Sequence, residues 1–254
     1  MGKSSDISIP DALSCLESYM NSLDPKRQRL LAYWIKDYVR FLEKESSFDP
    51  QKLIRYKRGS IVKANLGYRI GSEEGGLHYA VVIDNANAQK AQTVTVIPLT
   101  SVKPGTDITA LHSSRVYLGD EIYQSLNKKL DDAIKDIDAI HRSLLAQLST
   151  LQEDIDLSAP NAKTLLAERK VAIDLVEKQI EVWKEKSYHA QKMSDEIGKM
   201  KRGSIALISQ ITTISKIRIY DPLYPADTLN KIRLSNLALT SLDEQIKKMF
   251  TKSN

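Results

Sequence analysis

The sequence predicts an α+β fold: a small antiparallel β-barrel, divided along the chain by a long helical hairpin and preceded by a helical segment. Three observations carry this prediction. Residues 1–50 and 121–200 repeat their apolar positions at three- and four-residue steps, the period of a helix. Residues 54–120 and 201–254 instead contain short β-branched runs closed by turn residues. No helical pattern separates the runs within either block, which favours antiparallel pairing over βαβ units. The expected organisation is therefore a helical segment over 1–50, a discontinuous β domain over 54–120 and 201–254, and an inserted coiled-coil hairpin over 121–200.

Taken in order, Ile9-Pro10-Asp11 and Asp24-Pro25 read as helix entries with proline in the first turn. Leu30, Leu31, Trp34, Ile35, Tyr38, Phe41 and Leu42 then form one apolar stripe. Ser46-Ser47-Phe48-Asp49-Pro50 ends it. Ile61 to Leu66 leans to a strand and Gly67 to Gly76 to a loop. The continuous apolar run Tyr79 to Ile83 fits a strand buried on both faces. Thr93 to Thr100 is a third strand, and Ser114 to Leu118 an edge strand closed by Gly119.

The hairpin's first arm offers Leu130, Ile134, Ile137, His141, Leu144, Leu148, Leu151 and Ile155 as a heptad seam. Asp156-Leu157-Ser158-Ala159-Pro160-Asn161 breaks it. Leu166, Ile173, Val176, Ile180, Trp183, Ala190 and Ile197 line the return arm. At 1.5 Å per residue the hairpin projects on the order of 50 Å. His141 fits a packed or partner-paired histidine better than a ligand. Strand texture returns at Ser204 to Ile208 and Ile211 to Ile214, and Leu237, Leu242, Ile246 and Met249 mark a last amphipathic helix.

Composition excludes several classes. Of 254 residues, 42% are hydrophobic, too many for a disordered chain. No apolar run approaches the roughly 18–20 residues that span a bilayer, so no membrane association is expected. The single cysteine, Cys15, excludes an internal disulfide or a multi-cysteine metal site. Met1 to Asp6 contains no apolar signal region, and Asp6 breaks a myristoylation pattern, which makes a reducing cytoplasm the expected compartment. A net charge of +5 leans weakly towards polyanionic partners.

Motifs narrow the chemistry further. His78, His112, His141 and His189 lie far apart, without metal-ligand spacing. Phosphate-cradling, dinucleotide-binding and serine-hydrolase signatures are absent from the sequence, and no cofactor is expected. The informative blocks are Lys57-Arg58-Gly59-Ser60-Ile61-Val62, Gly71-Ser72-Glu73-Glu74-Gly75-Gly76-Leu77-His78-Tyr79-Ala80-Val81-Val82, and Val96-Ile97-Pro98-Leu99-Thr100-Ser101. A fourth runs from Gly203 to Lys216. In this order the blocks resemble the MazF/PemK family of toxin endoribonucleases, over about residues 54–118 and 201–250.

That resemblance implies an SH3-like barrel, a homodimer, and metal-independent cleavage of single-stranded RNA through the substrate's 2′-hydroxyl. It also implies a partner, either an antitoxin protein or a regulatory segment acting in cis. The family's threonine corresponds to Thr100, whereas its arginine position holds His78. Histidine can transfer protons near neutrality but lacks arginine's permanent bidentate fork. Ser209 and Thr212 stand where many members carry charged residues. His78 and Thr100 are thus the candidate catalytic residues, with Arg58, Arg69, Ser72, Glu73, Ser101, Lys103, Ser209 and Gln210 as candidate substrate contacts.

Several of these residues have two readings. Arg58 contacts phosphate or pairs with Glu73 or Glu74, and the two glutamates face substrate or only solvent. Gly59, Gly71 and Gly75 supply turn conformations, and Arg115, Lys216 and Arg218 extend a basic surface or serve solvation. The function divides likewise between a toxin-type endoribonuclease with an altered site and a catalytically altered module that binds RNA or protein. The hairpin would dimerise the chain, recruit a partner, shield the RNA groove in cis, or be purely structural.

Overall fold

A computed structural model describes residues 7–153, 155, 158 and 160–252. Met1 to Asp6, read above for targeting, and Asp156, Leu157 and Ala159 of the expected hairpin break lie outside them. Helix α1 (Ile9–Ser22) starts where the Ser8 hydroxyl accepts from the Asp11 amide, and α2 (Pro25–Glu45) where the Asp24 carboxylate accepts from the Lys26 and Arg27 amides. The stripe on α2 is less buried than its periodicity suggests. Only Leu31 and Phe41 are buried on α2, and α1 buries no residue at all.

The sheet is antiparallel, with seven strands among the described residues. They are β1 (Ile61–Asn65), β2 (Leu77–Val82), β3 (Thr93–Ser101), β4 (Arg115–Tyr117), β5 (Ser204–Leu207), β6 (Thr212–Ser215) and β7 (Ile219–Asp221). The order is β4-β5-β3-β2-β1-β7, with β6 alongside the first half of β3. Strands from before and after the hairpin thus meet on β3. Two features differ from the sequence reading. Strand β2 begins at Leu77, which places His78 in a strand, and β7 is additional because its three residues are too short to leave a periodic signal.

Alternating side chains of β1, β2 and β3 feed two cores. Val62, Ala64, Ala80, Val82, Val94 and Val96 pack with Tyr56, Ile214 and Ile219 on one face. Ile61, Val81, Ile97 and Leu99 pack on the other with Leu229, Ile232, Leu234 and Leu242. This two-sided burial is what the unbroken apolar run at Tyr79 to Ile83 anticipates. Leu242 belongs to α5 (Asn236–Phe250), where Ala238 and Leu239 take the inward place expected of exposed Leu237.

The hairpin consists of α3 (Glu121–Leu151) and α4 (Ala162–Lys199). Leu130, Ile137, Leu144 and Leu151 face inward as expected, but the positions between them are Leu126, Ala133, Ile140 and Gln147. Ile134, His141 and Leu148 lie one position further round and stay exposed. Two apolar rows on α3 satisfy the heptad rule, and sequence alone does not separate them. On α4, Leu166 and Ile173 are similarly exposed, whereas Val176, Ala190 and Ile197 are buried.

The hairpin root is fixed to the sheet. Ile122 and Leu126 from α3 and Met193 and Ile197 from α4 enter the second core. Glu196 on α4 accepts hydrogen bonds from Lys63 of β1 and Tyr79 of β2. Burial alone would raise the Glu196 carboxyl, but these two donors outweigh it and hold it below the usual carboxylate range. Burial, then the bond to Glu196, pushes the Tyr79 phenol far upward. Across the hairpin, Lys129 Nζ donates to the carbonyls of Asp227 at 2.8 Å, Thr228 at 2.8 Å and Asn230 at 3.0 Å.

Glu196→Gln should therefore destabilise the protein by about 1–3 kcal/mol near neutral pH, measured by denaturant unfolding. A depressed carboxyl contributes stability above its unfolded value of 4.5 and loses it as pH falls through its lower folded value. The two proteins should accordingly converge in stability at acid pH.

Candidate active site

The site is set by how β3 changes partners. Its pairing with β2 ends at Pro98, opposite Ala80, and its pairing with β5 begins at Leu99, opposite Ala206. The Ile83 amide donates to the Thr95 carbonyl, so Ile97 and Leu99 turn their backbone groups towards β2 and Pro98 turns away from it. Beyond this point Leu77 to Tyr79 remain held by β1, and Leu99 to Ser101 by β5. The two strands part as a fork. Continued register would place His78 opposite Thr100, one residue on each tine.

A cleft of about 240 Å³ opens in the fork. Leu77, His78 and Tyr79 line one side and Leu99, Thr100 and Ser101 the other. The root of the hairpin closes it, with Ile122 from α3 and Lys199, Met200 and Lys201 at the end of α4, next to Ser204 of β5. Two basic residues, Lys199 and Lys201, thus line the cleft beside the strand residues.

The His78 ring spans the fork. Its Nδ1 lies 3.3 Å from the Leu99 carbonyl, and its Nε2 lies 2.9 Å from Glu74 Oε1. Both neighbours are acceptors. A neutral ring can donate to only one of them, whereas an imidazolium donates to both. Glu74 is thus the imidazole's carboxylate partner.

The loop before β2 is held by Gln210. The Gln210 side-chain oxygen accepts from the Glu74 amide at 3.1 Å, and its Nε2 donates to the Ser72 carbonyl at 3.3 Å. Gln210 lies in a 3₁₀ turn, Ile208–Gln210, between β5 and β6. Gly59 and Gly71 have φ of 82° and 64°, as turns require. Gly75 is needed for space instead, because a Cβ there would lie 2.7 Å from the Gly67 carbonyl oxygen.

The remaining candidates separate from the cleft. Arg58 donates to the Ile83 carbonyl and pairs with Asp243 of α5, not with Glu73 or Glu74. It therefore joins α5 to the sheet. Arg69 donates to the Leu66 carbonyl and approaches Glu73 at 3.9 Å. Lys103 and Ser209 are exposed and do not line the cleft. Lys216 is 1% exposed and donates to the Ala88 and Gln89 carbonyls, while Arg218 donates to Asn65 and stacks on Trp34. These two belong to the interior rather than to a basic surface.

Lys199 and Lys201 escaped the sequence reading. Their signal was the basic run Lys199-Met200-Lys201-Arg202 directly before the second β block, which read as the end of a solvated helix. Among the described residues, no group of three His, Cys, Asp or Glu side chains is placed to hold a metal ion.

Residues 57–153 match the family model described as PemK-like, MazF-like toxin of type II toxin-antitoxin system. The match spans β1 to β4 and the whole of α3, and thus both tines of the fork. This family is one of toxin endoribonucleases that work with an antitoxin. The block from Gly203 to Lys216 lies outside the match, although its strands β5 and β6 pair with β3 inside it. No curated protein matches the chain. None of the described helices is long and apolar enough to cross a membrane.

Gln210→Ala should release the toxin-like segment's loop without unfolding the sheet. Losing a bond worth about 1.5 kcal/mol should raise hydrogen exchange at the Glu74 amide by roughly tenfold. Amides in β2 and β3 should keep their protection.

Proposed function

We propose that the chain is a toxin-type endoribonuclease that cleaves single-stranded RNA in the fork between β2 and β3, within a toxin-antitoxin system. One observation carries this reading: His78, Thr100, Lys199 and Lys201 line a single cleft, inside and beside the segment that matches the toxin family. The host domain would be an SH3-like barrel formed by residues 54–120 and 201–254, with the hairpin over 121–200 as an inserted coiled coil.

In the proposed reaction the substrate's 2′-oxygen attacks the adjacent phosphorus, and the bond from phosphorus to the 5′-oxygen breaks. The 2′-hydroxyl proton passes to a base and the departing 5′-oxygen takes up a proton, leaving a cyclic phosphate and a 5′-hydroxyl end. His78 is the proton-transfer group, with Glu74 orienting its ring. Thr100 donates to a non-bridging phosphate oxygen as negative charge accumulates there. Lys199 and Lys201 hold the phosphate and supply the fixed positive charge that histidine lacks in place of arginine. Ser101 and the loop at Ser72 and Glu73 would meet the flanking nucleotides. Arg58 has a structural role in this scheme.

The binding-only alternative uses the same cleft without cleavage, and the two separate on purified protein. Cleavage of single-stranded RNA should fall by about 10²- to 10⁴-fold in His78→Ala. Thr100→Ala and Lys201→Ala should lower it by at least about tenfold, while RNA end groups change from phosphodiester to cyclic phosphate only with active protein. Arg58→Ala should lower stability and leave the rate per folded molecule unchanged. RNA that binds but is never cut by the wild type would favour the alternative.

A further inference from the structure

The hairpin carries more apolar surface than its own pairing uses. On α3, Ile134, His141 and Leu148 follow one another at seven-residue steps, one position beyond the inward seam. On α4, Leu166, Ile173 and Ile180 do the same. Ile134, Leu148, Leu166 and Ile173 are 40–47% exposed.

Both rows lie on one side. The His141 ring meets Trp183 at 6.0 Å on this flank, whereas Asp136 and Lys186 pair at 3.5 Å on the other. The opposite flank of α3 is Lys129, Asp136, Ser143 and Thr150, so only one flank is apolar on both helices. An antiparallel pair places these second rows side by side, and a row at heptad spacing is the surface another helix packs on.

We propose that a second copy of this chain docks its hairpin on this flank, giving a four-helix bundle around a twofold axis parallel to the hairpin. Such an axis sets α3 of each copy over α4 of the other, with the two antiparallel. Charge favours this arrangement. The apolar row is bordered by Asp131 and Asp138 on α3, and by Lys163, Lys170 and Lys184 on α4, where Glu177 is the one acidic exception. The Asp136–Lys186 pair places Asp138 level with Lys184 within one hairpin. The axis therefore brings Asp138 of one copy to Lys184 of the other.

Size also favours it. Helices about 45 Å long, lying about 10 Å apart, present enough surface for the roughly 800 Å² that each partner buries in a stable interface. Neither the cleft nor its chemistry enters this argument, so the dimer stands apart from the proposed function.

The test is the molar mass of the full chain by light scattering across a concentration series. Wild type should be a dimer. Ile134→Lys combined with Ile173→Lys should weaken it by at least about tenfold. Asp138→Lys should weaken it too, and adding Lys184→Asp should restore it. Circular dichroism reports whether the helices persist, and if the isoleucine pair unfolds them, the charge reversal decides. A monomeric wild type, a dimer indifferent to all variants, or a charge swap that fails to restore association would overturn the proposal.

Discussion

Pro98 sits where one strand must serve two neighbours. Up to that residue β3 is bound to β2 on one edge, and beyond it β3 continues with β5 on the other edge while β2 stays with β1. The Ile83 amide donates to the Thr95 carbonyl, so the alternation of the strand turns Ile97 and Leu99 towards β2 and Pro98 away from it. The hold of β1 on Leu77 to Tyr79 and of β5 on Leu99 to Ser101 draws the two strands apart. The Leu99 carbonyl, left without a strand partner on that side, is taken by the His78 ring. The cleft is therefore a consequence of strand pairing, and both candidate catalytic residues inherit their positions from the ladder on either side of it.

The same fork explains why the hairpin matters to the site. Residues at its root fill the second core through Ile122, Leu126, Met193 and Ile197, and Glu196 ties α4 to both β1 and β2. With the root fixed, the end of α4 and the residues that follow it bring Lys199 and Lys201 to the wall of the cleft. The hairpin root thereby adds two basic residues to a cleft whose strand residues include His78 and Thr100. A hairpin whose root fills a wall of the cleft is part of that cleft, rather than a separate arm beside it.

How much of this was legible follows the strength of each local signal. The helices of the first fifty residues, six of the seven described strands and the two arms of the hairpin were readable because periodic runs, β-branched runs and proline entries leave strong patterns. Strand β7 was not, since three residues between short turns carry no period. The seam on α3 was half right because Ile134, His141 and Leu148 repeat at the same interval as the true inner row. Motif order singled out His78 and Thr100 as candidates, and the fork brings the two to one cleft. Arg58 was not, because an arginine at a strand start looks the same whether it meets phosphate or Asp243. Lys199 and Lys201 were hidden by distance in sequence: about a hundred residues separate them from the strands they face, and only tertiary folding joins them.

The central claim is that single-stranded RNA occupies the fork. It is tested most directly by nuclear magnetic resonance of the full chain titrated with a pool of short 2′-O-methyl oligoribonucleotides, which bind but lack the attacking hydroxyl. The account predicts saturable shifts at the His78 ring, the Thr100 amide and the Lys199 and Lys201 side chains, with salt weakening binding as phosphate contacts require. Shifts confined to α1, α2 or the distal hairpin, with the fork unmoved, would contradict it.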